Sequence, residues 1–309
     1  MTEFQISTRR MGSAFQLIIG SSDEERAHSL LQLALREIDR IESELSEFRE
    51  ASYTTLINNN AGIQPTQVSG EVFELLDRSL KISALTQGAF DISVGPLKQT
   101  YQFKNHEFQF PSQKRINAAL DRVGYQKIEL YPATKKVFLL KKGMRISFAA
   151  IGKGYAADCV KRKWLDHGVT SGVINASGDL TTIGQRANGS PWQVGIAHPD
   201  EKDKFIVHFP LFDASAATSG DYEQHFIYRG KRYSHNLNPK TGLPIEGIKS
   251  VSVVSQSAEL CDALATAVYV MGAEVGMHFL NQLPNTHGIL IDDKNRSFYS
   301  QKIDCRYER

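Results

Sequence analysis

Two hydrophobic periods occupy separate stretches of this 309-residue chain, and their alternation restricts the fold more than any other feature. From Ser22 to about Leu45, Leu30, Leu33, Ala34, Ile38 and Ile41 recur at helical spacing behind Ser22-Asp23-Glu24-Glu25, which supplies a cap and an acidic first turn. Gly70 to about Thr86 repeats that period through Val72, Leu75, Leu76, Leu80 and Ile82. By contrast, Phe15 to Gly20 reads as a strand, and Lys127-Ile-Glu-Leu, Lys136-Val-Phe-Leu-Leu and Met144-Arg-Ile-Ser read as paired strands. A helix from Tyr155 to His167 closed by Gly168, a strand Gly172-Val-Ile-Asn, short strands between Gly, Pro and Asn turns, and a late helix from about Ala258 to Met271 follow. Helices alternating with hairpins predict an α+β fold of mixed helices and antiparallel sheets. No repeat, low-complexity tract or composition shift marks a linker, so residues 1–309 are expected to form a single domain, with room for two sub-lobes. Tyr101 to Arg115 is polar and aromatic and is expected to be a long surface loop.

Charge narrows the partners. Lysine plus arginine number 36 against 34 aspartates plus glutamates, a formal charge of +2 with no basic run to track a phosphate backbone, so nucleic acid is not expected as a partner. Cys159, Cys261 and Cys305 are widely spaced and odd in number, which gives neither a disulfide framework nor a Cys-x-x-Cys metal site and fits a reducing compartment. Met1 to Gly20 has no signal-type apolar core, and no 18-residue apolar run occurs. The expectation is no membrane span and a cytoplasmic location for the sequence as it stands, or a periplasmic or membrane-anchored one if a leading segment has been removed.

Four segments can carry chemistry. In Asp262-Ala-Leu-Ala-Thr266 the i and i+4 positions share a helix face, so a carboxylate and a hydroxyl can converge on one hard cation. Magnesium takes much of its oxygen shell from water and phosphates, so a sparse protein shell suits a nucleotide enzyme. A helix-dipole Asp and a back-bonded Thr would give the same sequence. Ala149-Ala-Ile-Gly-Lys-Gly-Tyr-Ala-Ala-Asp158 runs from strand through glycines into helix, exposing N–H groups at a positive helix end beside the mobile cation of Lys153. It lacks the Walker spacing but fits the loose dinucleotide form Gly-x-Gly-x-x-Ala, with Asp179 near the next strand, which leaves a nicotinamide-dependent dehydrogenase open.

The third segment is Gly88-Ala-Phe-Asp-Ile-Ser-Val-Gly-Pro96, where an aromatic ring and a carboxylate could meet a ligand ring, or where Asp91 could simply cap a turn. The fourth is Ala217-Thr-Ser-Gly-Asp-Tyr222 with Gly230 to Pro244, a hairpin with His235 at its mouth. Histidine moves protons near neutral pH, although a lone one is often a structural hydrogen-bonder.

In this order, together with Met11-Gly12-Ser13 and Ser43-Glu-Leu-Ser-Glu-Phe48, these segments resemble the ApbE family of FAD:protein FMN transferases. The resemblance spans nearly the whole chain. It implies an enzyme that binds FAD and Mg2+, cleaves the pyrophosphate, attaches FMN to a Thr or Ser of a client flavoprotein and releases AMP. It implies metal ligands at Asp262, Thr266 and the Ala150 carbonyl. Flavin and adenosine contacts fall, by the same resemblance, on Met11, Phe48, Ala89, Phe90, Asp91, Ser147, Lys153 and Leu237, and His235 matches the histidine assigned to proton removal from the acceptor hydroxyl.

The chain departs from the family pattern in places. Ser147 stands where relatives commonly have Asp, Asn238-Pro239 where they often have Asp-Pro, and Phe48 where they often have Tyr. The lipoprotein signal of the commonest members is absent from these residues. All presumed metal ligands remain, so the expectation is altered FAD affinity or rate in a working enzyme. A FAD pyrophosphatase and a non-catalytic FAD-binding protein are the alternatives.

Overall fold

The computed structural model describes residues 1–101, 110–197, 205–220, 225–228, 231–301 and 306–307. The chain opens with a hairpin, β1 (Thr2–Arg10) and β2 (Ser13–Ser21), and continues into α1 (Glu24–Leu45). Asp23 caps α1 by accepting from the Arg26 N–H at 3.0 Å, and Glu24 and Glu25 form the acidic first turn, within the segment expected to supply both. Then come α2 (Tyr53–Asn59), β3 (Thr66–Gln67), α3 (Gly70–Leu85), α4 (Gly95–Thr100), α5 (Gln113–Leu120), β4 (Ile128–Tyr131) and β5 (Lys136–Leu139). The central run is α6 (Gly152–Asp166), β6 (Ser171–Ala176), β7 (Asp179–Gly184), β8 (Trp192–Ala197), β9 (Phe205–Leu211) and β10 (Ser215–Gly220). Last are β11 (His225–Tyr228), β12 (Lys231–Ser234), β13 (Ile248–Ser255), α7 (Ala258–Met271), α8 (Ala273–Asn281), β14 (His287–Asp292), β15 (Ser297–Tyr299) and β16 (Arg306–Tyr307).

Eight strands form the main sheet in the order β1-β2-β6-β7-β10-β13-β14-β15, and every neighbouring pair is antiparallel. Smaller sheets are β3-β5-β4, β16-β9-β8 and the ribbon β11-β12. The α+β expectation agrees with this architecture. The strand-helix-strand reading around Lys153 does not, because the strands flanking the glycine-rich turn do not pair in parallel. β6 instead pairs antiparallel with β2 and β7, so the dinucleotide fingerprint lacks the sheet it needs.

Packing makes α6 the spine of the molecule. Its Tyr155, Ala156 and Cys159 enter one apolar cluster with α3 and α7. Its Ala157, Val160 and Trp164 enter another with α1, β2 and β6. The Trp164 indole N–H donates to the Leu30 carbonyl at 3.0 Å, fixing α6 against α1. Burying these side chains stabilises the arrangement by roughly 1.5–3 kcal/mol for each large aliphatic residue.

Two local expectations need correction. Met144 to Ser147 is not a third strand: Arg145 makes one parallel bridge to Val94, and the Asn58 side-chain amide takes the place of a neighbouring strand at Ile146. That amide accepts the Ile146 N–H at 2.7 Å and donates to its carbonyl at 3.0 Å. The expected loop from Tyr101 to Arg115 ends in a helix, since α5 begins at Gln113, and residues 102–109 lie outside those described. Among the described residues, no helix is long and apolar enough to cross a membrane.

Candidate active site

The site begins with α7, a helix most of whose residues are buried. Ala263, Leu264, Ala265, Ala267 and Val268 are inaccessible to solvent, and Asp262 sits among them at 4% exposure. A carboxylate in such surroundings is costly unless it is paired. Its partners come from the glycine-rich turn at the start of α6. The Gly154 N–H donates to Asp262 Oδ2 at 3.2 Å, and Lys153 Nζ lies 3.9 Å from the same oxygen.

Glycine at 154 is required by this contact. A Cβ there would sit 2.2 Å from the Ala258 carbonyl oxygen, so only glycine lets α6 approach α7 closely enough for its N–H to reach Asp262. Spending the Gly154 N–H on a side chain also removes the donor that would ordinarily return to Ala150. The Ala150 carbonyl therefore accepts from none of the described donors. One turn beyond Asp262, Thr266 Oγ1 shares a hydrogen bond with Ser219 Oγ of β10 at 3.1 Å. A carboxylate, a hydroxyl and a backbone carbonyl are the hard oxygen donors that a magnesium ion accepts.

The orientation of α7 has its own support. Asp158 of α6 accepts from Ser257 Oγ at 2.7 Å and from the N–H groups of Ala258 and Glu259 at 3.0 Å each. These are donors that a helix start leaves without intrahelical partners, and a carboxylate there also favours the helix dipole.

Lys153 makes its closest contact with Asp179, at the first position of β7. The β6–β7 turn delivers that residue: Ser177 and Gly178 both have positive φ, as a two-residue hairpin turn demands, and the Asn175 side chain accepts the Gly178 N–H at 2.8 Å. Burial pushes the Asp179 carboxyl above its ordinary range, while Lys153 and the Thr218 backbone N–H pull it down. Two buried carboxyl groups flank the lysine, and their oxygens are of the hard type that a divalent cation accepts.

Met11, Phe48, Ser147 and Lys153 line one cavity of about 260 Å³, with Glu47 and Gly152. That volume lies just below the range for drug-sized ligands, so it fits one part of a dinucleotide. Phe48 is 86% exposed at its rim, leaving a ring face open for stacking. Ser147 donates to Glu47 at 3.3 Å and accepts from the Ala149 N–H. Lys98 of α4 stands nearby: burial pushes its ammonium below the ordinary value, Glu47 acts in the opposite direction, and Lys153 adds to the depression.

The other candidates do not line that cavity, although the Ile92 carbonyl beside Asp91 accepts the Ser147 N–H at 2.9 Å. Phe90 is packed in the main core at 1% exposure. Asp91 spends its carboxylate on the N–H and hydroxyl of Ser93 and the N–H of Tyr125, the turn-holding arrangement that competed with ligand binding in the sequence. Burial raises its carboxyl and those hydrogen bonds oppose the shift. Ala89 lines a different groove with Asn238 and Lys240, and Leu237 packs with Leu97, Tyr101 and Ile116. His235 is half-buried just beyond β12, whose Ser234 pairs with His225 in the ribbon that follows β10.

Glu47, Asp158 and Ser219 sit inside the segments quoted from the sequence and Lys98 just past one, but spacing assigns a role to none of them, because their partners are distant in the chain. Asp179 enters the sequence reading only as part of the loose dinucleotide fingerprint, and the structure pairs its carboxylate with Lys153.

Comparison with known proteins agrees in extent with the geometry. The model described as the ApbE family matches residues 11–290. The chain is 32% identical over 295 residues to a FAD:protein FMN transferase of Klebsiella pneumoniae (strain 342), covering 95% of this chain and 90% of that protein. It is 30% identical over 272 residues to the FAD:protein FMN transferase of Escherichia coli (strain K12), covering 86% and 78%. The crystal structure of an ApbE protein from Thermotoga maritima superposes with a TM-score of 0.89 at 29% identity, over 97% of each chain. The apo flavinyl transferase ApbE of Pseudomonas stutzeri gives 0.85 at 25% identity, over 97% of this chain and 94% of that one. A family match across most of the chain, with full-length structural agreement, places this protein in the ApbE family.

Proposed function

We propose that this protein is a magnesium-dependent FAD:protein FMN transferase, which cleaves the FAD pyrophosphate and attaches FMN through a phosphoester to a Thr or Ser of a client flavoprotein. Similar proteins of Klebsiella pneumoniae and Escherichia coli are named FAD:protein FMN transferase. The observation that carries the reading to this chain is the junction of α6 and α7, where Lys153, the Gly154 N–H, Asp262 and Thr266 meet.

In this reading Asp262, Thr266 and the Ala150 carbonyl hold the metal. A bound divalent cation supplies charge neutralisation on the transferred and departing phosphates. Lys153 offers a mobile ammonium to the pyrophosphate from beside the cavity lined by Met11 and Phe48. Phe48 stacks on a ring of the dinucleotide. His235 accepts the proton of the acceptor hydroxyl as its oxygen bonds to phosphorus and AMP leaves with the bridging oxygen.

The test is release of AMP from FAD by the purified protein, with and without Mg2+, for wild type and Asp262→Ala. The reading expects Mg2+-dependent AMP in wild type and a loss of about a hundredfold or more in the variant. Equal rates in both would contradict the metal assignment.

A further inference from the structure

Lys153 is contested by two carboxylates. It touches Asp179, while Asp262 Oδ2 is 3.9 Å away, about 1 Å beyond a charge-assisted hydrogen bond. The two acids have side chains 3% and 5% exposed, against 23% for the lysine, so the ammonium lies between fixed, buried anions. Asp179 is fixed from behind by the tight β6–β7 turn and by the Thr218 backbone N–H. Asp262 is fixed by Gly154. The flexible lysine stem is the movable part, and its resting place is set by which carboxylate holds it more closely.

This geometry bears on the metal. If the ammonium moved onto Asp262 Oδ2, it would occupy a lone pair needed for coordination and set a positive charge against the incoming cation. Resting on Asp179, it leaves that oxygen to the Gly154 N–H and a metal, and still lines the cavity beside Ser147.

We propose that Asp179 is a positioning residue that holds the Lys153 ammonium off Asp262 and so keeps Asp262 available to the divalent cation. The proposal rests on the metal reading given above. Removing Asp179 leaves the Asp262 carboxylate 3.9 Å from the lysine, and the predicted consequence is an internal ion pair that competes with metal. The effect is expected even without FAD.

The experiment measures Mn2+ binding to the FAD-free full chain by the loss of free-ion electron paramagnetic resonance signal, alongside thermal melting with and without Mn2+. Asp179→Asn is expected to weaken Mn2+ binding about tenfold or more, the scale of losses from residues that support metal ligands. Lys153→Met is expected to bind Mn2+ at least as tightly as wild type, since a nearby positive charge is gone. The double variant is expected to bind like Lys153→Met, because there is no longer a lysine to restrain.

A double variant as weak as Asp179→Asn would overturn the proposal, as would weaker binding by Lys153→Met or unchanged binding by Asp179→Asn. Should Asp179→Asn fail to fold, the Lys153→Met result still decides. Asp262→Ala in the same series separates the two levels. Wild-type binding by that variant sinks the metal reading itself, whereas its loss of binding beside an unaffected Asp179→Asn sinks only the role of Asp179.

Discussion

The Gly154 N–H donates to Asp262 Oδ2 at 3.2 Å, tying the first turn of α6 to the buried helix α7. Gly154→Ala tests how much depends on that approach. Its Cβ would meet the Ala258 carbonyl at 2.2 Å, and a backbone carbonyl cannot rotate aside as a flexible side chain can. The helices must separate, which is expected to cost about 1–3 kcal/mol in urea unfolding and to remove most Mg2+-dependent AMP release. A variant with wild-type stability and rate would contradict the close-packed junction.

Asp158 should matter for stability although it lies outside the cavity. Asp158→Ala leaves Ser257 Oγ and the N–H groups of Ala258 and Glu259 without their shared acceptor. Denaturant unfolding is expected to show a loss of about 1–3 kcal/mol, with Asp158→Asn intermediate. If the Ala variant unfolds at the wild-type midpoint, the α7 start is held by other means.

Much of this architecture can be read from periodicity. α7 spans the expected Ala258 to Met271, because its apolar residues recur around a whole helix and Ser257 caps it. The glycine-rich turn was legible as a special place but its helix starts at Gly152, three residues before the expected Tyr155. Glycines weaken the helical signal in sequence, while packing against α7 overrides their propensity. What spacing cannot give is the meeting of Lys153 with Asp179 and Asp262, since that depends on a hairpin turn and on two helices distant in sequence. Phe90 and Asp91 illustrate the converse, a motif clear in sequence whose side chains the fold spends on core packing and a turn.

Glu71 gives a pH signature. Burial alone would raise its carboxyl, but hydrogen bonds from Arg40 and Tyr155 outweigh that and hold it below the ordinary value. The folded state therefore holds this proton less tightly than the unfolded chain. Its contribution is full above the unfolded value and is lost as pH falls through the lowered folded one. Glu71→Gln, which has no such proton to gain, should lose less stability than wild type between about pH 6 and pH 3 in urea unfolding. Parallel pH curves would show that Arg40 and Tyr155 do not favour the charged form.

Cys159 and Cys261 should be inert in the native protein. Burial pushes the Cys261 thiol up to about 12 and also raises Cys159. Iodoacetamide at about pH 8, read by peptide mass mapping, is expected to modify both only after denaturation. Native labelling of Cys261 would contradict its complete burial on the packed face of α7.

The central claim is that the α6–α7 junction directs FMN onto a protein hydroxyl. The most direct measurement is intact mass of a client flavoprotein domain after incubation with this protein, FAD and Mg2+, with AMP and free FMN followed in parallel. The account predicts client carrying covalent FMN, one AMP released for each FMN attached, and neither product with Asp262→Ala. Free FMN with unmodified client would make the protein a FAD pyrophosphatase, and intact bound FAD with no AMP would contradict catalysis altogether.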